Sequence, residues 1–113
     1  MKQTELKKII RQLLKATNAF DVEAALTLFA ANAVIDDVSV GEKFKGTKGV
    51  RNYLEKFFVG YHTKTKLVSV EIPDALHANA KLDFTGDFGH ETGVLNFTFD
   101  AVGLIIKIDA DLD

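Results

Sequence analysis

Apolar residues recur at helical spacing early in the chain and at alternate positions in its second half. Leu6, Ile9, Ile10, Leu13 and Leu14 are spaced by threes and fours, with Lys7, Lys8, Arg11, Gln12 and Lys15 between them. This predicts an amphipathic helix capped by Thr4 and stopped at Asn18. A second helix is expected from Asp21, a suitable cap residue, with Ala24, Ala25, Leu28 and Phe29 on one face and a break at Asn32. Ala33–Val38 then reads as a strand, and Gly41–Gly46 as a turn-rich link whose only large apolar residue is Phe44. A third helix, capped by Thr47, carries Val50, Tyr53, Leu54, Phe57 and Phe58 at helical spacing and ends at Gly60.

From His62 onward the period falls to two. Four strands are predicted, His62–Ile72, Leu76–Phe88, His90–Phe99 and Leu104–Leu112, with breaks at Pro73-Asp74, Gly86-Asp87 and Asp100–Gly103. On the second of these, Leu76, Ala78, Ala80, Leu82 and Phe84 alternate with His77, Asn79, Lys81, Asp83 and Thr85, so one face is core and the other wet. Helices gathered ahead of a run of strands predict an α+β fold, with the helices of the N-terminal half on one face of a curved antiparallel sheet. Val94-Leu95 and Leu104-Ile105-Ile106 put apolar groups on both faces of the last two strands. A partner sheet would cover the second face, which predicts a homodimer through the sheet; the alternative reading is a locally thicker core.

Composition narrows the classes. The 113 residues suit a single domain spanning 1–113, and a hydrophobic content of 47%, including nine Phe, supplies a core. With 14 basic and 16 acidic residues the net charge is −2, and no basic stripe supports nucleic-acid binding. The absence of cysteine removes thiol catalysis and Cys-ligated metals, and fits a reducing compartment. No run approaches the roughly 18 apolar residues that cross a bilayer. Charges interrupt every apolar group of MKQTELKKIIRQLL, so a signal peptide is not expected there and the location expected is cytoplasmic.

The candidate chemistry centres on two adjacent carboxylates, Asp36 and Asp37. Alternation puts Ile35 and Asp37 on one face of their strand and Val34, Asp36 and Val38 on the other. Whichever carboxylate faces an apolar pocket is a candidate general base, because desolvation disfavours its charged form. The pattern alone leaves both faces open, since Val34 is as apolar as Ile35. Tyr53 lies on the apolar side of the third helix, where its hydroxyl is either a cavity donor or a satisfied core group. Tyr61 follows a glycine at a helix end, as a lid or edge residue would. His62, His77 and His90 show no metal-ligand spacing, and neither metal nor cofactor is expected. Asp83, Asp87, Asp109, Asp111 and Asp113 read as solvated edge charges.

Taken together, Asn18-Ala19 with Asp21, LFAANAVIDD from Leu28 to Asp37, Gly46-Thr47-Lys48-Gly49-Val50 and FTFDAVGLIIKI from Phe97 to Ile108 give the chain a family likeness. It resembles the nuclear transport factor 2-like superfamily, more narrowly its SnoaL-like and ketosteroid isomerase-like branch. The resemblance implies a cone-shaped α+β barrel, a strongly bent sheet around the helices, an apolar pocket and frequent dimerisation through the sheet. It also makes the Ile35 face the inner one and matches Asp37 to the catalytic base of ketosteroid isomerases. Those enzymes need buried donors for the enolate oxygen, a tyrosine on the first helix and a protonated aspartic acid on a late strand. The matching positions here are Leu13 and Leu95, which donate nothing, and the usual proline after the aspartate is Val38. SnoaL-type polyketide cyclases share the general plan.

The function expected is therefore a binding module for a small hydrophobic molecule. Phe57, Phe58, Phe84 and Phe97 are expected on its pocket wall, together with Leu13, Phe29, Ile35 and Leu95. The alternative is an isomerase- or cyclase-type enzyme acting on a hydrophobic carbonyl compound, with Asp37 as base and Tyr53 as donor.

Overall fold

The computed structural model describes residues 2–112; Asp113, expected to be a solvated charge, lies outside the described residues. Helix α1 spans Gln3–Asn18 and buries Leu6, Ile10, Leu13 and Leu14. Its first turn lacks a side-chain cap, with Lys2 rather than Thr4 at the cap position. Asp21 does cap the second helix, accepting from the Ala24 amide at 3.1 Å, but α2 covers only Val22–Leu26. Strand β1 begins at Phe29 and runs to Asp37. Leu28 and Phe29 have helical spacing, yet the Ile105 amide donates to the Leu28 carbonyl at 2.9 Å and Phe29 pairs with Ile105. Tertiary pairing outweighs a weak local preference here.

The expected link after β1 contains a short strand, β2 (Glu42–Lys45). Phe44 explains it: the residue pairs with Ile35 and is buried. Helix α3 starts at Gly46, ahead of the expected Thr47 cap, and runs to Leu54. It continues as a π turn over Glu55–Val59, where the Gly60 amide reaches back to the Glu55 carbonyl at 2.8 Å. Such widened turns concentrate at functional sites.

The remaining strands are β3 (Lys64–Asp74), β4 (His77–Gly86), β5 (Gly89–Phe99) and β6 (Ile105–Leu112). The six strands form one sheet in the order β2-β1-β6-β5-β4-β3. It is a mixed sheet rather than an antiparallel one, because the β3–β6 meander returns beside β1 running in the same direction. Register shifts in β1, β3 and at the β5–β6 pairing mark the irregularities at which a sheet bends. The inner face carries Ala78, Ala80, Leu82, Phe97, Phe99, Ile105 and Ile108, packed on the helices. Leu76, expected among them, precedes β4 in a turn and is exposed.

Strand β3 is an edge, and unpaired edge amides invite association. Asn18 covers one position of it. Its amide donates to the Thr65 carbonyl at 2.9 Å and accepts from the Thr65 amide at 2.6 Å. The residue that ends α1 thus acts as a one-residue strand partner.

Candidate functional site

Along β1 the burial alternates, with Ala33, Ile35 and Asp37 inward and Val34 and Asp36 half-buried on the other side. Asp37 is 6% exposed, a carboxylate at the inner end of the strand. The chain turns immediately after it. Asp37 Oδ1 accepts from the Ser39 amide at 2.9 Å and from Ser39 Oγ at 2.5 Å. From α3, Tyr53 Oη donates to Asp37 Oδ2 at 2.6 Å. A buried carboxylate is costly unless hydrogen-bonded, and these donors meet that need. The Tyr53 phenol is held well above its usual value, first by burial and then by the Asp37 carboxylate, which takes its hydrogen bond and repels a phenolate.

Above this pair opens a cavity of about 420 Å³, within the range of small-molecule sites. Asp37 and Tyr53 belong to its wall, as do Phe57 and Phe58 from the π turn and Phe84 from β4. The rim adds Val40, Tyr61 and Phe88, which are 42%, 41% and 41% exposed. Clustered exposed apolar groups of this kind mark binding surfaces more often than chance. The rings touch one another: Tyr53 and Phe57 lie 4.9 Å apart, and Tyr61 meets Phe57 at 6.0 Å and Phe88 at 6.1 Å.

The mouth is tied shut on one side. The Asp87 amide donates to the Tyr61 carbonyl at 2.8 Å, and the Asp87 carboxylate meets His62 Nδ1 at 2.9 Å. Gly86 makes this approach possible, since a Cβ there would sit 2.7 Å from the Tyr61 oxygen.

The structure divides the residues expected to line a pocket. Phe57, Phe58 and Phe84 do line the cavity. Leu13, Phe29, Ile35 and Leu95 instead surround an inner void of about 20 Å³, too small for anything beyond a water-sized occupant. Phe97 lies on neither; it is fully buried and stacks on Phe99 at 6.0 Å. Helix α1 therefore does not border the cavity: Leu13 and Leu95 fill the interior, and the open space lies toward the far end of β1. Sequence reasoning missed Ser39, Asp87, Phe88, Glu91 and Leu112 on the wall. A legible signal existed for Ser39, two residues after an aspartate at a strand end, where an Asx turn is common.

His62 adjoins the wall through Asp87, whereas His77 and His90 pair elsewhere. His90 Nε2 meets Asp83 at 2.5 Å on the polar side of the β4–β5 hairpin, and His77 bonds Asp74 at 2.8 Å. Among the described residues no group of His, Cys, Asp or Glu converges as a metal site would require, and no helix is long and apolar enough to cross a membrane.

Comparison with known proteins places this arrangement. Residues 10–105 match the SnoaL-like domain, and the chain belongs to that family. A Methylobium petroleophilum protein of unknown function with a cystatin-like fold superposes with a TM-score of 0.88 at 20% identity, covering 99% of this chain and 78% of its own. A nuclear transport factor 2-like protein of unknown function from Burkholderia xenovorans gives 0.86 at 12% identity over 100% of this chain and 86% of its own. A Mycobacterium tuberculosis protein solved in complex with estradiol-17β-hemisuccinate gives 0.83 at 18% identity, covering 96% of this chain and 94% of its own. These likenesses establish the fold. No curated protein matches the chain in sequence.

Proposed function

We propose that the protein binds a small, predominantly apolar molecule in the aromatic cavity, with the Asp37–Tyr53 pair as its polar anchor. The observation that carries this reading is the cavity itself, apolar-walled and open at an apolar rim, with one buried, hydrogen-bonded carboxylate on its wall. Apolar walls with few placed polar groups are the usual composition of a ligand site. That a relative with this fold was solved with a steroid derivative is consistent with it.

Binding is preferred to catalysis because of where the donors point. An enolate-forming enzyme needs a hydrogen-bond donor free to meet the developing oxyanion. The hydroxyl hydrogens of Tyr53 and Ser39 are both given to Asp37, and Leu13 and Leu95 offer none. A carboxylate has about four acceptor positions, and Asp37 has three in use, which leaves room for one donor from a ligand.

The proposal includes a homodimer through the outer face of the sheet. Val94 sits on that face between Lys81 and Asp111 and is half-buried.

The test is a titration with the neutral dye N-phenyl-1-naphthylamine, whose emission rises in an apolar site. Saturable one-to-one binding, weakened several-fold by Phe57→Ala with cooperative unfolding retained, is expected. Absence of saturable binding would overturn the proposal.

A further inference from the structure

The charged groups on the cavity wall are all of one sign. Asp37, Asp87 and Glu91 belong to it, and no lysine or arginine does. The other wall residues include six aromatic rings, those of Tyr53, Phe57, Phe58, Tyr61, Phe84 and Phe88. The chain's net charge is only −2, yet the charged side chains on this concavity are all carboxylates. A low-dielectric cleft lined by one sign of charge focuses the field and concentrates counter-ions. Aromatic faces add to this selectively, because the ring quadrupole attracts cations and ammonium ligands are held by such cages.

We infer that the preferred ligand is an organic cation, an amine or quaternary ammonium attached to an apolar body. This rests on the proposal that the cavity is a ligand site, and goes beyond it by naming the charge. The geometry gives each part of such a molecule a place. The apolar body fills the space among Phe57, Phe58 and Phe84, while the ammonium meets the fourth acceptor position of Asp37 or the mouth carboxylates. A neutral hydroxyl could take the same hydrogen bond at Asp37, but it gains neither the ring faces nor the long-range attraction. An anion meets three like charges.

Two cationic groups adjoin the wall. His62 pairs with Asp87 at 2.9 Å, so when protonated it offsets that carboxylate; Glu91 and Asp37 have no such partner among the described residues. Lys56 Nζ lies 5.3 Å from the Phe57 ring centroid, so one wall ring already receives an ammonium from the protein's own surface.

The experiment is displacement of N-phenyl-1-naphthylamine by a matched series: naphthylmethylamine, naphthylmethanol and naphthoic acid at neutral pH. The amine is expected to bind about tenfold or more tightly than the alcohol, and the acid most weakly. Glu91→Gln and Asp87→Asn, both at exposed positions, should each lower the amine-to-alcohol affinity ratio, and added salt should lower it too. Equal affinities for amine and alcohol, or tighter binding of the acid, overturn the inference while the ligand site stands. If neither the dye nor any of the series binds, the site proposal falls with it.

Discussion

Tyr53 donates its phenol proton to Asp37 Oδ2 at 2.6 Å, and this bond joins helix α3 to the end of strand β1 at the cavity. Removing it with Tyr53→Phe leaves a buried carboxylate short of a donor, at an expected cost of about 1.5–3 kcal/mol by urea unfolding. Burial of the phenol, reinforced by this bond, sets a pH dependence. Tyr53 in the native protein keeps a proton that the unfolded chain releases above about pH 10. More protons are then bound in the native state, so stability is intact below that pH and falls above it, by about 1.4 kcal/mol per pH unit from this group. Unfolding free energies measured across the alkaline range should fall more gently in Tyr53→Phe than in the parent protein. Equal slopes would remove Tyr53 as the cause.

Asn18 closes a two-bond ring with the backbone of Thr65 on the sheet edge. Asn18→Ala should cost about 1–3 kcal/mol, since both backbone groups of Thr65 lose their partner. Asn18→Asp keeps the acceptor and loses the donor, and should fall between. Hydrogen exchange at the Thr65 amide is the local readout: it should quicken in Asn18→Ala and stay protected in Asn18→Asp.

Gly86 lets the Tyr61 carbonyl approach the β4–β5 hairpin. A methyl group there meets the Tyr61 oxygen at 2.7 Å, the Phe88 ring at 2.8 Å and Thr63 Cα at 3.3 Å. Backbone cannot yield cheaply, so Gly86→Ala should destabilise by about 1–3 kcal/mol. It should also weaken dye binding, because Tyr61 and Phe88 form the rim. A loss of stability with dye affinity unaltered would separate the hairpin from the binding site.

Val94 offers the plainest test of self-association, being an apolar side chain on the outer face among Lys81, Asn96 and Asp111. Sedimentation equilibrium should give a dimer that Val94→Lys shifts toward monomer. A monomer at every concentration would contradict association through this face.

How far the sequence could be read depended on the range of the interaction involved. The inward side of β1 followed from alternation once the Ile35 face was taken as inner, and Asp37 is indeed buried. The end of α2 did not follow. Leu28 and Phe29 have helical spacing, and only their pairing with Ile105, distant along the chain, makes them extended. The parallel partnership of β1 and β6 is non-local in the same way. The pocket was half legible: Phe57, Phe58 and Phe84 were recognisable as aromatic wall, but the cavity's position depends on which interior volumes are filled. Leu13 and Leu95 close the inner end, and the Asp87 and Phe88 hairpin borders the outer one. Period-two patterns carry no information on that difference.

The proposed ligand site is the aromatic cavity above Asp37. The most direct measurement is a two-dimensional amide NMR titration with N-phenyl-1-naphthylamine. Saturable shifts should concentrate on Ser39, Val40, Phe57, Tyr61, Phe88 and Glu91. Val68 and Val102, exposed apolar residues outside the cavity wall at 55% and 79%, should stay still. Shifts centred on Val68 or Val102, or spread without saturation over the surface, would contradict the account.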